Sequence, residues 1–434
     1  MCKNLTFEEC EMTILRAAID SSEKREGIKL MKSPVTQKII SMVERFIKKT
    51  KSIVYGGTAI NNILSKKNQF YDYNYEIPDY DFFSKEPLKH AKELSDYFSK
   101  MGFDDVEAKS GVHHGTYKVF VNQMGVADIT YLHPELYKMF LKDAIKKEGI
   151  LYAPANFLRQ SMYLELSRPM GDVSRWEKVL KRLNLLNKEY PLIHKKCEIQ
   201  RHFSSRREEE PIFNIVKGVF IKENVVFIGG YANALYTMHS NAPNLKNIPD
   251  FDVLTVDPKN TTDKVKTALE NAGYKVTIKE HDPIGELVSK HYSISVDDEY
   301  VAFIYEPVAC HSYNVIKDGK HELKIGTIDT LLSYYLAFMY ADRDYYDENR
   351  FLCLSSVLFK VQQENRLAQK GLLKRFGIQC YGKQQTLKSI REEKNKLKET
   401  LKPGTKEYEE WFFKYDPNKT RKRKTGLKTK RVKK

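Results

Sequence analysis

The sequence predicts an α+β fold of mixed α/β character, built as two tandem copies of one unit in which a mixed sheet is flanked by helices, the second copy degenerate. Three observations lead there. A motif recurs, SIVYGGTAINNIL at 52–64 and NVVFIGGYANAL at 224–235. A second motif follows it each time, IPDYDF at 77–82 and IPDFDV at 248–253. The offsets agree closely, 173 residues from Gly56 to Gly229 and 171 from Asp79 to Asp250, so order and spacing are both kept. A repeat found first organises everything read after it.

Each element follows from local pattern. Apolar periodicity predicts a helix over Thr36 to Lys49, then a short strand from Ile53 to Tyr55, a Gly-Gly turn and a helix through Ala59 to Leu64. The second copy repeats this with a strand from Val225 to Ile228 and a helix through Ala232 to Tyr236. A strand carrying Asp-x-Asp comes next, then an amphipathic helix, Leu88 to Met101 in one copy and Thr262 to Ala272 in the other. Strands Thr116 to Val121 and Val126 to Leu132 alternate in polarity and are joined by a turn over 122–125. Helices over Pro154 to Leu166, Trp176 to Leu186 and Thr327 to Tyr340 close the halves, and Ser389 to Leu401 is a charge-rich helix. Helices around one largely antiparallel sheet make an α+β unit.

Composition narrows the partners. The 434 residues suffice for about two or three cores. No apolar run approaches the roughly 20 residues of a membrane span, and the N-terminal residues lack a secretory core, so a membrane role and secretion are not expected. Six scattered cysteines, Cys2, Cys10, Cys197, Cys310, Cys353 and Cys380, are expected as reduced thiols. The net charge of +16 is uneven, with ten Lys or Arg and no acid in 419–434. Such a balance favours a polyanion through counterion release, although a solvated or targeting tail has the same composition.

The sharpest chemical signal is Gly56-Gly57-Thr58, then Asp79-Tyr80-Asp81, then a lone Asp128 in an otherwise apolar strand. Alternate residues of a strand share a face, so Asp79 and Asp81 project together. Carboxylate oxygens are the ligands that magnesium takes, and Asp128 could add a third ligand and act as base for an attacking hydroxyl. Three such groups suit two-ion phosphoryl transfer. Glycines at a strand-to-helix junction let backbone N–H groups approach a triphosphate, and Thr58 could add a donor. A Gly-Gly pair alone is usually a turn, and one Asp-x-Asp is often a solvated strand end. The ordered set is what carries weight, since a charge within Val126-Ala127-Asp128-Ile129 is costly to bury unless paired or metal-bound.

These motifs, VYGGTAINNIL, IPDYDFFS and VADITYL, together with FLRQSMYLELSRPMGDVSRWEKVLKRL at 157–183, resemble the poly(A) polymerase catalytic subunits of large nucleocytoplasmic DNA viruses, within the polymerase-β-like nucleotidyltransferase superfamily. The resemblance spans about residues 50 to 310. It implies tandem nucleotidyltransferase-like domains and a polynucleotide adenylyltransferase, with ATP as donor, an RNA 3′ end as acceptor and Mg2+ or Mn2+ as cofactor. It also implies Asp79, Asp81 and Asp128 as metal ligands and Gly56, Gly57 and Thr58 as triphosphate contacts. A cytoplasmic place in a viral factory or virion goes with it, as does either a homodimer or a processivity partner. The expected divisions are a catalytic domain with N-terminal helices over 1–188, a degenerate second domain over 189–380, and a charged helix with a basic tail over 381–434.

In the second copy Tyr231 stands where Thr58 stands, and the strand matching VADITYL reads VAFIYEP, so Phe303 takes the third-carboxylate position. Asp250 and Asp252 are then expected to be structural, and that domain a scaffold for an RNA groove. Weaker features are His113-His114, Arg168 and Arg175, Lys181-Arg182, Arg201 to Arg207 and the 27 tyrosines, each explained at least as well by packing or solvation. Other acceptors stay open: a uridylyl, CCA-adding or oligoadenylate-forming enzyme shares the same three aspartates, and a non-catalytic RNA-binding processivity subunit is a rival of another class. If the basic tail contacts RNA, deleting 419–434 weakens binding and flattens its salt dependence in a titration; unchanged affinity and slope would make the tail a targeting or solubility segment.

Overall fold

A computed structural model describes residues 2–193, 209–239, 250–365 and 368–419. The expected Arg201 to Arg207 cluster, Cys197 and nearly all of the basic tail lie outside the described residues. The chain forms two compact units, one comprising the residues up to Leu132, Asp143–Ala153 and the C-terminal part from Ile390, the other His133–Lys142 and Pro154–Ser389.

The first unit holds strands β1 (Ile53–Tyr55), β2 (Asp81–Ser84), β3 (Val106–Ser110), β4 (Thr116–Val121), β5 (Met124–Tyr131), β6 (Ile145–Lys147) and β7 (Ile150–Tyr152). The second holds β8 (Val226–Phe227), β9 (Phe251–Leu254), β10 (Val276–His281), β11 (His291–Val296), β12 (Glu299–Tyr305), β13 (His311–Asp318), β14 (His321–Gly326) and β15 (Cys380–Tyr381). A last strand, β16 (Lys414–Tyr415), returns to the first sheet.

The duplication foreseen from two short motifs extends to the whole topology. The first sheet runs β3-β4-β5-β2-β1-β7-β6 and the second β10-β11-β12-β9-β8-β14-β13, strand for strand. Pair orientations match too: β1–β2 and β8–β9 are antiparallel, β2–β5 and β9–β12 parallel, β1–β7 and β8–β14 parallel. Each sheet is mixed, with its parallel pairs in the middle. The copies differ at their edges, where β16 extends the first sheet beyond β3 and β15 extends the second beyond β13.

One face of the first sheet makes the core. Strand β4 alternates, with Tyr117, Val119 and Val121 buried and Thr116, Lys118 and Phe120 half-exposed, as a strand with one covered face must. Helix Pro34–Thr50 turns Ile39, Met42, Val43, Phe46 and Ile47 to the inside at three- and four-residue spacing. It starts on a proline that needs no N–H donor partner and ends at Lys51 in the left-handed region, φ 52°. Helix Pro87–Lys100 buries Ala91, Leu94, Ser95 and Phe98. The opposite face carries the candidate site.

The cysteine expectation is corrected. Cys2 is bonded to Cys10, Cys310 is bonded to Cys380, and no described cysteine is free. The second bridge spans 70 residues and fastens β15 beside β13, where Ser312 faces Cys380, so only the folded edge brings the two sulfurs together.

The C-terminal segment is a strap rather than an appendage. Ser110 N–H donates to the Phe413 carbonyl (2.9 Å), Ser110 Oγ to the Trp411 carbonyl (2.7 Å) and Asn418 Nδ2 to the Asp104 carbonyl (2.8 Å). Phe413, 5% exposed, meets Tyr117 edge to face at 5.7 Å. An open strand edge is a pairing hazard, and this strap covers that of β3. Phe413→Ala is expected to destabilise the first unit by about 3 kcal/mol through lost burial and a residual cavity, read as a lower thermal or urea midpoint; an unchanged midpoint would show that the strap adds nothing to stability.

Candidate active site

The site grows from register. Across the antiparallel pair β1–β2, Tyr55 faces Asp81; across the parallel pair β2–β5, Asp81 faces Asp128; across the antiparallel pair β4–β5, Asp128 faces Lys118. Directly opposed residues share a face. Asp81 and Asp128 therefore stand side by side, one strand spacing of about 4.8 Å apart, and Asp79 lies two residues upstream of Asp81. Partial desolvation by the surrounding chain, and then the charge of Asp128, raise the Asp79 carboxyl above its usual range although the residue keeps access to solvent, with Lys118 acting the other way. Burial and the Asp81 charge likewise raise the Tyr55 hydroxyl. Tyr55 shares a hydrogen bond with Thr130 (2.9 Å) and stacks on Phe83 (3.9 Å).

The glycine turn is built against the same carboxylates. Gly56 has φ +74°, and a Cβ placed there would sit 2.7 Å from Asp81 Oδ2, so both conformation and space demand glycine. It opens helix Gly56–Ile63, whose first backbone N–H groups have no partner within the helix. Thr58, expected at the triphosphate, is buried, and its hydroxyl donates to the Asp79 carbonyl at 2.6 Å. Asn61, fully buried, accepts from Phe70 N–H (2.7 Å) and Tyr71 N–H (2.8 Å), tying down the loop that leads to Asp79. That role was missed in the sequence, where Asn61 reads as one more polar helix residue.

The carboxylates offer the hard oxygen donors that a divalent cation takes: Asp81 and Asp128 are opposed on one face, Asp79 precedes the strand, and a cation would reverse the raised pKa of Asp79. Among the described residues no group of three or more His, Cys, Asp or Glu side chains is gathered closely enough to hold a metal ion, and Asp128 is ion-paired with Lys118. Lys118 was not singled out in the sequence; only the strand register puts it beside Asp128.

The second copy has the same frame and different contents. Phe303 faces Asp252 across β12–β9, as Asp128 faces Asp81 across β5–β2, so the third carboxylate is replaced at the equivalent position. Asp250 and Asp252 are 1% and 4% exposed. Arg350, itself buried, lies 4.0 Å from Asp250, and Tyr305 donates to Asp252 at 3.5 Å while bonding Tyr346 at 2.8 Å. Tyr345 packs on Phe303 at 4.9 Å. The stretch from Tyr345 to Arg350 thus fills this copy with rings and a fixed cation. Tyr231, in place of Thr58, packs among Phe213, Phe227 and Phe251.

The weaker candidates have local partners. His114 lies 3.7 Å from Glu410 and against Trp411, Arg175 pairs with Glu165 at 3.2 Å, and Lys181 pairs with Glu177 one helical turn away. Trp176 donates to the Glu165 carbonyl and packs on Phe376. Arg350→Met is expected to cost about 3 kcal/mol or more, because it leaves buried carboxylates without their cation; a urea midpoint equal to that of the unaltered protein would remove Arg350 from this role.

Residues 41–172, which hold the glycine turn and all three aspartates of the first copy, match the family model described as poly(A) polymerase catalytic subunit. A putative poly(A) polymerase catalytic subunit of Acanthamoeba polyphaga mimivirus is 26% identical over 301 residues, 62% of this chain and 50% of that protein. Its counterpart in African swine fever virus (strain Badajoz 1971 Vero-adapted) is 32% identical over 159 residues, 35% of this chain and 33% of that protein. The chain thus spans half the length of the first relative and a third of the second. The crystal structure of the Megavirus polyadenylate synthase shares the fold, with a TM-score of 0.83 over 100% of this chain and 91% of that one at 21% identity. Residues 41–172 are thus similar to the poly(A) polymerase catalytic subunits, and the fold is that of the Megavirus polyadenylate synthase.

Proposed function

We propose that this chain is a template-independent poly(A) polymerase, a polynucleotide adenylyltransferase that moves AMP from ATP to RNA 3′ ends at Asp79, Asp81 and Asp128. The observation that carries the reading is the in-register placement of Asp81 and Asp128 on one face, with Asp79 beside them and the glycine turn against Asp81. Magnesium or manganese held by these three carboxylates, as one or two ions, would stabilise charge on the triphosphate and lower the pKa of the attacking hydroxyl.

The chain's own groups divide the remaining work. Backbone N–H groups at Gly56 and Gly57, at a helix N-terminus, attract the triphosphate oxygens. Thr58 holds the Asp79 backbone in place. Asp128 accepts the proton of the RNA 3′ hydroxyl while that oxygen bonds the α-phosphorus and pyrophosphate leaves with the electrons of the broken bond. The second copy, filled by Tyr345 and Arg350, serves as scaffold. No described helix is long and apolar enough to cross a membrane. Work in the cytoplasm, with a processivity partner or a second copy of this chain, goes with the same reading.

Purified protein given a labelled RNA primer, magnesium or manganese and each NTP separately is expected to build a long tail from ATP and much shorter products from CTP, GTP or UTP. Asp79→Ala, Asp81→Ala and Asp128→Ala should each abolish addition in a folded protein, whereas Asp250→Ala and Asp252→Ala should leave substantial activity. Extension with another nucleotide alone would redirect the reading to a different RNA nucleotidyltransferase. Activity surviving in Asp128→Ala and lost in folded Asp250→Ala would place catalysis in the other copy.

A further inference from the structure

The row of opposed residues that aligns Tyr55, Asp81 and Asp128 does not stop at Lys118. Lys118 faces Lys109 across β3–β4, and Lys109 faces Lys414 across β16–β3. Six strands therefore present, in order and on one face, Tyr55, Asp81, Asp128, Lys118, Lys109 and Lys414. The opposite face at this level is core, with Ala108, Tyr117 and Val119 at 2% exposure or less, so the lysine face is the uncovered one. Side chains of Lys118, Lys109 and Lys414 are 40%, 44% and 74% exposed.

We propose that Lys118, Lys109 and Lys414 form a phosphate track on which the acceptor RNA reaches the carboxylates. The arrangement is polar from end to end. The glycine turn, where the donor triphosphate is placed, adjoins Asp81 at one end of the row, and the lysines extend from Asp128 at the other. Lys414 is three strand spacings from Asp128, roughly 14 Å, on the side away from the glycine turn, so a donor triphosphate at that turn does not account for it. A polyanion with repeating charges does.

The energetics point the same way. Like charges directly opposite each other in a sheet are destabilising, and Lys109 has a lysine on both sides. Glu107 offsets part of this, lying 3.6 Å from Lys109 and 3.2 Å from Lys414. Lys118 is paired with Asp128, and a cation taken up by Asp128 would leave that ammonium for a phosphate. Beside the row, the half-exposed Phe120 ring lies under Lys109 at 4.3 Å, an aromatic surface on which a base can stack. The strand carrying Lys414 leads within five residues to Lys419, where the basic run begins, and Asn418 is tied to the Phe103 and Asp104 carbonyls near the same edge.

This inference rests on the polymerase reading, and its test separates the two. Binding of a short 5′-labelled oligoadenylate is followed by fluorescence anisotropy over a salt series, with extension by ATP measured in parallel. The double variant Lys109→Gln, Lys414→Gln should bind more weakly and flatten the log–log salt slope by about 1.4, two single-strand phosphate contacts at about 0.7 each. Glu107→Gln, which removes the competing carboxylate, should bind more tightly. Losing affinity through misfolding could mimic the first result but not the second. If the unaltered protein extends RNA while the double variant keeps its affinity and slope, or Glu107→Gln fails to tighten binding, the track is overturned alone. If the unaltered protein neither binds nor extends the oligoadenylate, the polymerase reading falls and the track with it.

Discussion

The parallel pairing of β2 with β5 is the constraint from which the rest of the first unit follows. A strand repeats its faces every two residues, so a slip of one would turn Asp81 or Asp128 into the core and bring an apolar neighbour out. The hydrophobic partners hold that register: Phe82 and Ile129 are fully buried on the inner face, between the two carboxylates and their neighbours along the strands. The burial of two apolar side chains thus sets the spacing of two charges. Gly56 and Thr58 extend the control to the third, one by making room against Asp81 and the other by holding the Asp79 carbonyl.

Duplication lets the same frame serve as its own control. Both sheets keep the same strand order and orientation, yet one copy buries its two aspartates and the other keeps Asp79 exposed and Asp81 half-exposed. A buried carboxylate needs a partner of opposite charge or a set of donors. The second copy supplies Arg350 near Asp250 and the Tyr305 hydroxyl at Asp252, and rings close around them. Internal charge compensation is how the second copy answers this electrostatic problem. Phe303 stands where the first copy has Asp128, and its ring packs on Tyr345 instead of adding a charge.

The far C-terminus matters to the first sheet for a related reason. A sheet edge has unmet backbone donors and acceptors, and β16 meets those of β3. In doing so it adds Lys414 to the row that Lys118 and Lys109 begin. Stability and charge placement are therefore coupled in one short strand more than 300 residues from β3 along the chain.

Local pattern was enough for much of this. The span of β1, the span of β4, the helix after the glycine pair, the helix after each Asp-x-Asp, the duplication and the loss of the third carboxylate at Phe303 were all legible, because periodicity and motif order are properties of neighbouring residues. The helix Glu348–Glu364 and the strap were not read, since their meaning depends on what lies across from them. Lys118 beside Asp128, Arg350 beside Asp250 and the Cys310–Cys380 bridge were equally hidden. Each joins residues separated by ten or more positions, and a charge or thiol in sequence carries no mark of its partner. The amino-acid order specified which residues could do chemistry; strand register and edge pairing decided which of them stand together.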